Sequence, residues 1–256
     1  MAIIEWRDVA KLFPLRANGQ AKVVRALDGI SFAVERGEIV ALLGPSGCGK
    51  TTALRIAMGL DGPSSGSVVA NGKKVTGCGH DRGMVFQHAE LLPWCTALDN
   101  IKFGLRMKGT AEPQLSEIAM RNLELVGLSD AAQQRPHQLS GGMKQRVGIA
   151  RALAIDPAIL LMDEPFGALD SQTREQLQAE LLAIHAKTKK TIVFVTHDLD
   201  EAVFLANRVV VMAAGKIRKI IPIEIGHSRE DIRGFRGSKD FALKRTEAWE
   251  VLHDTI

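Results

Sequence analysis

The 256-residue sequence contains no tyrosine, and aromatic side chains make up only 5% of it. A polynucleotide-binding surface interleaves clustered basic residues with aromatics. Here lysine and arginine are scattered, so no nucleic-acid partner is expected despite a net charge of +4. The mildest basic concentration, residues 229–245, reads as a solvated helix face. Cysteine is scarce too: Cys48, Cys78 and Cys95 are widely spaced and odd in number. That excludes a disulfide framework and fits a reducing compartment. No apolar run approaches the ~20 residues of a membrane span, and the opening Met1-Ala2-Ile3-Ile4-Glu5-Trp6-Arg7-Asp8 meets charge too early for a signal peptide. The expectation is a cytoplasmic chain, or one peripheral on the cytoplasmic face of a membrane. An anionic nucleotide or lipid headgroup suffices as partner for this charge balance. What the sequence does have is 46% apolar content, enough to core one large α/β domain or two small ones.

The densest signal is Gly44-Pro45-Ser46-Gly47-Cys48-Gly49-Lys50-Thr51. It fits the phosphate-loop pattern: glycine at both ends, then lysine and a hydroxyl residue. The apolar run Ile39–Leu43 before it reads as a buried strand, and Ala53, Leu54, Ile56, Ala57 and Met58 follow at helical density. The glycines let backbone N–H groups turn inward onto phosphate oxygens. The next helix adds the positive end of its dipole. Lys50 supplies a point charge for β/γ-phosphates and Thr51 a hydroxyl for Mg²⁺. The competing reading is a plain glycine-rich turn, and the flanking strand and helix weigh against it. Positive potential at Cys48 would favour a thiolate, but a small filler is the preferred reading.

Residues before the loop read as short antiparallel strands at 3–6, 23–24 and 29–34, with a hairpin turn at Asn18-Gly19. Phe13 is either core or a platform for a purine ring. Val68–Ala70 and Lys73–Val75 flank a turn at Asn71-Gly72, and Gly83–Phe86 is a short strand ending at Gln87. Residues 98–107 and 114–126 read as amphipathic helices, the second with Ile118, Leu123 and Val126 on one side. Leu139-Ser140-Gly141-Gly142 opens a helix to about Ala154. Ser140 reads as an N-cap, yet two glycines beyond a cap weaken a helix, which points to close backbone approach by an anion. Ile159–Met162 is an apolar strand ending in Asp163-Glu164-Pro165. Two carboxylates there are costly unless a cation or reaction uses them: Asp163 suits Mg²⁺, Glu164 a water-activating base. A helix from about Gln172 to Lys187 faces Leu177, Leu181, Leu182 and Ile184 inward. Thr191–Thr196 is a strand delivering His197, 198–207 a helix, and 209–212 with 217–221 a hairpin around Ala214-Gly215. Four apolar strands thus end in candidate site groups, as an open α/β sheet requires.

Gly44–Thr51, Gln87, Leu139-Ser140-Gly141-Gly142, Leu160–Pro165, Ala168-Leu169-Asp170 and His197 occur in the order of ABC transporter ATPase subunits, which the chain resembles over roughly residues 3–220. Residues 85–94 resemble the nitrate/sulfonate/taurine importer branch. The resemblance implies a phosphate-loop NTPase (RecA-like) α/β core with a mostly parallel sheet, an N-terminal antiparallel subdomain and an inserted helical subdomain. The ATPase domain would span 1–225 (core 1–88 and 155–225, helical part about 89–154), and 226–256 a short tail with a helix at 241–252. The implied activity is Mg²⁺-dependent ATP hydrolysis.

Residue roles follow from the same resemblance. Gly44, Ser46, Gly47, Cys48, Gly49, Lys50, Thr51 and Thr52 would bind phosphates, and Phe13 would stack on adenine. Thr51, Gln87 and Asp163 would serve Mg²⁺. Glu164 would be the base, with His197, Gln87 and Lys50 completing the catalytic set. Ser140, Gly141, Gly142 and Asp170 would act across a dimer of ATPase subunits. Implied partners are that second subunit (an identical copy), transmembrane permease subunits docked near 87–94, where Leu91, Leu92 and Trp94 look exposed, and indirectly a solute-binding protein. Implied location is the cytoplasmic face of the inner membrane. Geometry adds that two phosphate-binding helix N-termini on one chain, at Thr51 and Ser140, suit a head-to-tail pair. Other ABC systems, exporter or non-transport, share the core motifs. The pair Cys78 and His80 is too small a ligand set for a metal site.

Overall fold

The computed structural model describes residues 1–17, 20–224 and 231–253; the turn expected at Asn18-Gly19 lies outside them. The chain divides into two compact units, one formed by residues 1–79 with 191–256 and the other by residues 80–190.

The first unit begins with β1 (Ala2–Ala17), β2 (Gln20–Glu35) and β3 (Ile39–Leu43), then α1 (Lys50–Met58), β4 (Ser65–Ala70) and β5 (Lys73–Lys74). One antiparallel sheet runs β2-β1-β4-β5. The three short strands expected before residue 35 are in fact two 16-residue strands. Charged residues that look like breaks are absorbed by register shifts between Trp6 and Val9 and again around Lys11, where Asp8 takes φ 49° and Gly29 φ 69°. Such bulges bend a strand without ending it. Trp6 stacks on Phe32 (ring centroids 4.2 Å apart) and donates from Nε1 to the Ala53 carbonyl at 3.1 Å, tying this sheet to α1.

The second unit holds β6 (Arg82–Val85), α2 (Ala97–Met107), α3 (Gln114–Leu125), α4 (Gly141–Ala154), β7 (Ile159–Asp163) and α5 (Ser171–Thr188). β6 and β7 are parallel, Val85 opposite Met162. Thr96 caps α2 by accepting from Asp99 N at 3.0 Å. In α3 the buried stripe is Leu115, Ala119 and Leu123; Ile118 is only half-buried. In α5, Leu182 is half-buried and Gln178 occupies the inward position instead.

The chain then returns to the first unit with β8 (Thr191–Thr196), α6 (Leu199–Leu205), β9 (Arg208–Ala213), β10 (Lys216–Pro222), α7 (Ile232–Gly237) and α8 (Lys239–His253). Its second sheet has the order β10-β9-β3-β8, with β3 parallel to both neighbours. Every residue of β3 and β8 is buried, as expected of a parallel strand covered on both faces. α6 stops two residues before the expected Asn207. The Asn207 side chain accepts from Ile39 N at 2.9 Å and its N–H donates to the Ile39 carbonyl at 2.7 Å, drawing the chain into β9. The helix α7 was not foreseen, and α8 is slightly longer than its expected span.

Candidate nucleotide site

In the first unit the parallel register brings two candidate groups to one level. Leu43, the last residue of β3, pairs with Thr196, the last of β8. Gly44 and His197 therefore leave the sheet side by side at its carboxyl edge, the edge where open α/β sheets bind ligands. His197 is exposed there. The chain after it turns at once into α6, with Asp198 capping Glu201 N at 3.0 Å.

The loop between β3 and α1 is built around close approaches. A Cβ on Gly44 would overlap the Met212 carbonyl, and one on Gly49 (φ 105°) the Ala26 carbonyl. Gly49 is also the N-cap of α1 and leaves the helix's first N–H groups without a side-chain cap, available to an anion. The Lys50 ammonium is buried inside the loop, donating to the Gly44 carbonyl at 2.6 Å and that of Pro45 at 2.9 Å. Gly215 N donates to the Cys48 carbonyl at 3.1 Å, fastening the loop to the β9–β10 turn. Ser46, Gly47 and Thr51 are exposed, and Thr52 half-buried. Cys48 is a buried filler, the reading preferred from sequence: burial pushes its thiol pKa up, outweighing the nearby Lys50 charge that would favour a thiolate. Phe13 is 36% exposed, with the Lys11 ammonium 4.9 Å from its ring centroid. That removes the core reading and leaves a ring facing solvent.

In the second unit, Val85 opposite Met162 likewise brings Gln87, just past the end of β6, level with Asp163 at the last position of β7 and with Glu164 after it. Gln87 Nε2 lies 3.4 Å from Glu164 Oε2. Glu164 adopts φ 44°, an uncommon conformation for a non-glycine residue and one that clusters at functional sites. Its carbonyl accepts from Gly167 N at 3.1 Å. A Cβ at Gly167 would touch Gln87 and Glu164 at an ordinary 3.4–3.5 Å.

Ser140 is the N-cap of α4: its Oγ accepts from Met143 N at 3.2 Å. The two glycines beyond it differ. A Cβ on Gly142 would lie 2.6 Å from the Thr173 methyl, whereas one on Gly141 would meet Leu169 at an ordinary 3.6 Å. Packing against α5 accounts for Gly142; Gly141 has no such internal reason. Asp170 caps α5 through Thr173 N at 3.0 Å, and that hydrogen bond holds its carboxyl below the usual range.

Sequence reasoning missed the polar residues that hold the segment after Gln87. Gln145 donates to the Phe86 carbonyl at 3.0 Å, and Arg151 to those of Ala89 (2.7 Å) and Glu90 (2.8 Å). Gly148 lets Ala89 approach α4. These three lie on one face of α4, at i, i+3 and i+6. Asn100, fully buried, accepts from Leu92 N and donates to the carbonyls of Leu92, Cys95 and Thr96. Nothing in the sequence near Asn100, Gln145 or Arg151 marks the backbone segment that each one holds. Between α4 and this segment lies a cleft of about 490 Å³, lined by Gln87, Glu90, Leu91, Lys144 and Leu169 among others. Trp94 nearby is 70% exposed; Leu91 and Leu92, expected to be exposed, are half-buried. Among the described residues, no three His, Cys, Asp or Glu side chains form a metal-holding group.

Comparison with known proteins identifies the family. The ABC transporter family model matches residues 27–167. An uncharacterized ABC transporter ATP-binding protein of Methanocaldococcus jannaschii is 48% identical over 251 residues, covering 97% of this chain and 91% of that protein. The taurine import ATP-binding protein TauB of Chromobacterium violaceum is 46% identical over 91% of this chain and 90% of its own length. The nitrate import ATP-binding protein NrtD of Synechocystis is also 46% identical, over 93% and 89%. A solved dimeric ATP-binding cassette in a post-hydrolysis state bound to ADP and Pi superposes with a TM-score of 0.77 at 32% identity, covering 87% of this chain and 99% of that one. The chain belongs to the ATP-binding, ATP-hydrolysing subunits of the ABC transporter family.

Proposed function

We propose that the chain powers an importer for a small solute of the nitrate, sulfonate or taurine type, working as a homodimer at the cytoplasmic face of the membrane beneath separate permease subunits. The similarity to TauB and NrtD supports the solute class, and the solved dimeric cassettes support the pairing. The observation that carries the reading is the alignment of site groups at strand ends: Gly44 with His197 on one pair of strands, Gln87 with Asp163 and Glu164 on another.

In this reading the loop 44–52 cradles the phosphates and Phe13 stacks on adenine. Lys50 exchanges its two carbonyl acceptors for phosphate oxygens. Thr51, Gln87 and Asp163 offer hard oxygen donors of the kind Mg²⁺ takes; the ion would neutralise charge building on the phosphates. Glu164 accepts a proton from the attacking water, and Gln87, already beside it, orients that water. His197 holds the terminal phosphate. The N-terminus of α4, with the open backbone at Gly141, closes on the nucleotide of the other copy, and Asp170 lies in the same interface. The cleft beside Gln87, with Trp94 at its mouth, receives a cytoplasmic helix of the permease. The domain division proposed is an ATPase domain of 1–225, with a core of 1–88 and 155–225 and a helical part of about 89–154, followed by a short tail.

Glu164→Gln tests the base assignment. It should leave nucleotide binding intact, lower kcat by about 10²-fold or more, and accumulate an ATP-bound dimer in size-exclusion chromatography. Hydrolysis at the parental rate would rule the base out.

A further inference from the structure

We propose that the C-terminal helices α7 and α8 form a splint that positions His197, with Arg245 and Phe235 as its positioning residues. The inference rests on the reading of His197 as the group that holds the terminal phosphate.

His197 stands between a strand and a very short helix. α6 has seven residues, fewer than two turns, and a helix that short takes its position from what packs on it. Its inner side lies on β3, β8 and β9, with Phe204 and Leu205 fully buried. Its other side is covered by the tail, which grips both ends. In the first turn, Arg245 Nε meets Asp200 Oδ1 at 2.6 Å, three residues beyond His197. In the last turn, the Phe204 ring packs edge-on against Phe235 (centroids 5.8 Å apart), and Phe235 against Phe241 at 5.9 Å. The Arg236 guanidinium lies 4.5 Å from the Phe204 ring centroid. Phe235 and Phe241 are both buried, so the tail is packed rather than draped.

The splint is anchored elsewhere. Lys219 on β10 pairs with Glu247 of α8 at 2.8 Å, and Lys244 braces the same carboxylate at 3.2 Å. β10 pairs with β9, whose end passes under Gly44. The tail thus ties the helix behind His197 to the hairpin that supports the phosphate loop. An exposed ion pair adds little to stability, and Arg245–Asp200 is about half exposed on each side. Its value is directional, because a shift of about 1 Å in a reacting group can cost up to 10²-fold in rate.

The test uses the full-length chain at a concentration that saturates its ATPase activity. Arg245→Asp should lower kcat about 5-fold with the KM for ATP and the melting temperature unchanged. Adding Asp200→Arg should restore kcat by re-forming the pair with its signs exchanged. Phe235→Leu empties part of a buried cluster and should lower the melting temperature, so it is assayed well below that temperature, where kcat should still fall with KM unchanged; a parental kcat there would overturn the role of Phe235. Unchanged kcat in Arg245→Asp, or no recovery in the exchanged pair, would overturn the splint. So would a fall of kcat in Arg245→Asp in step with KM and melting temperature, which marks general loosening. His197→Ala measured alongside separates the two claims. If it hydrolyses ATP like the parent, the role of His197 is wrong; if it is inactive while Arg245→Asp is normal, only the splint is.

Discussion

The two glycines after Ser140 offer a separation of causes that few motifs allow. Both read alike in sequence, yet only Gly142 has a neighbour within its own chain too close for a side chain, the Thr173 methyl at 2.6 Å from a built Cβ. Gly142→Ala should therefore overpack the α4–α5 contact and destabilise the chain by about 1–3 kcal/mol. For a chain this size, each kcal/mol moves the melting temperature by about 2–4 °C. Thr173→Ser removes the offending methyl, so the double variant should recover most of the loss. At Gly141 the added methyl has ordinary contact with Leu169, and alanine is the better helix former by up to about 1 kcal/mol. Gly141→Ala should melt at or above the parental temperature. If Gly141 exists for close approach to a phosphate on another copy, the same variant should lose turnover at least 10-fold. Thermal unfolding without nucleotide, followed by steady-state ATPase assays, reads both quantities. The reasoning fails if Gly141→Ala destabilises as much as Gly142→Ala, or if it melts normally and hydrolyses ATP at the parental rate.

Asn100 satisfies the turn at residues 92–96 with four hydrogen bonds from a fully buried side chain. Asn100→Leu keeps the size but strands the Leu92 N–H and the Cys95 carbonyl, at about 1–3 kcal/mol for each group left unsatisfied; the carbonyls of Leu92 and Thr96 keep the N–H groups of Cys95 and Asn100. Urea unfolding should register a loss of at least 2 kcal/mol; a loss under half that would mean the turn re-forms its bonds to water. Cys48 is a thiol whose pKa burial raises, so it is protonated to a higher pH in the folded chain than in the unfolded one. Its contribution to stability is complete below the ordinary thiol pKa and is lost as pH rises through the folded value. Maleimide labelling near neutral pH should therefore modify exposed Cys78 well before Cys48, read by peptide mass mapping. Equal labelling of the two would contradict this.

What could be read from the sequence was what is written locally. A glycine that must turn, an apolar run long enough for one buried strand, and a carboxylate at the end of such a run each carry their reason within a few residues. Gly44–Thr51, Gln87, Asp163-Glu164 and His197 were read as candidates that way, and the parallel registers bring Gly44 beside His197 in one unit and Gln87 beside Asp163 and Glu164 in the other. What stayed hidden depends on partners distant in the chain. Bulges in β1 and β2 are invisible because Asp8 resembles a break until Ser31 Oγ accepts from its N–H at 2.9 Å. Asn100, Gln145 and Arg151 look like surface residues because nothing local says that a backbone segment lies across them. The same holds for the tail, where Phe235 and Phe241 are ordinary apolar residues until Phe204 is placed beside them. The hidden part is therefore not random. It consists of the polar and aromatic contacts that hold the site-bearing loops and helices in place, while the groups at the strand ends announce themselves. A variant screen restricted to the recognisable motifs would miss the residues that set where those motifs point, and Arg151, with its two carbonyl acceptors beside Gln87, is the first place to look beyond them.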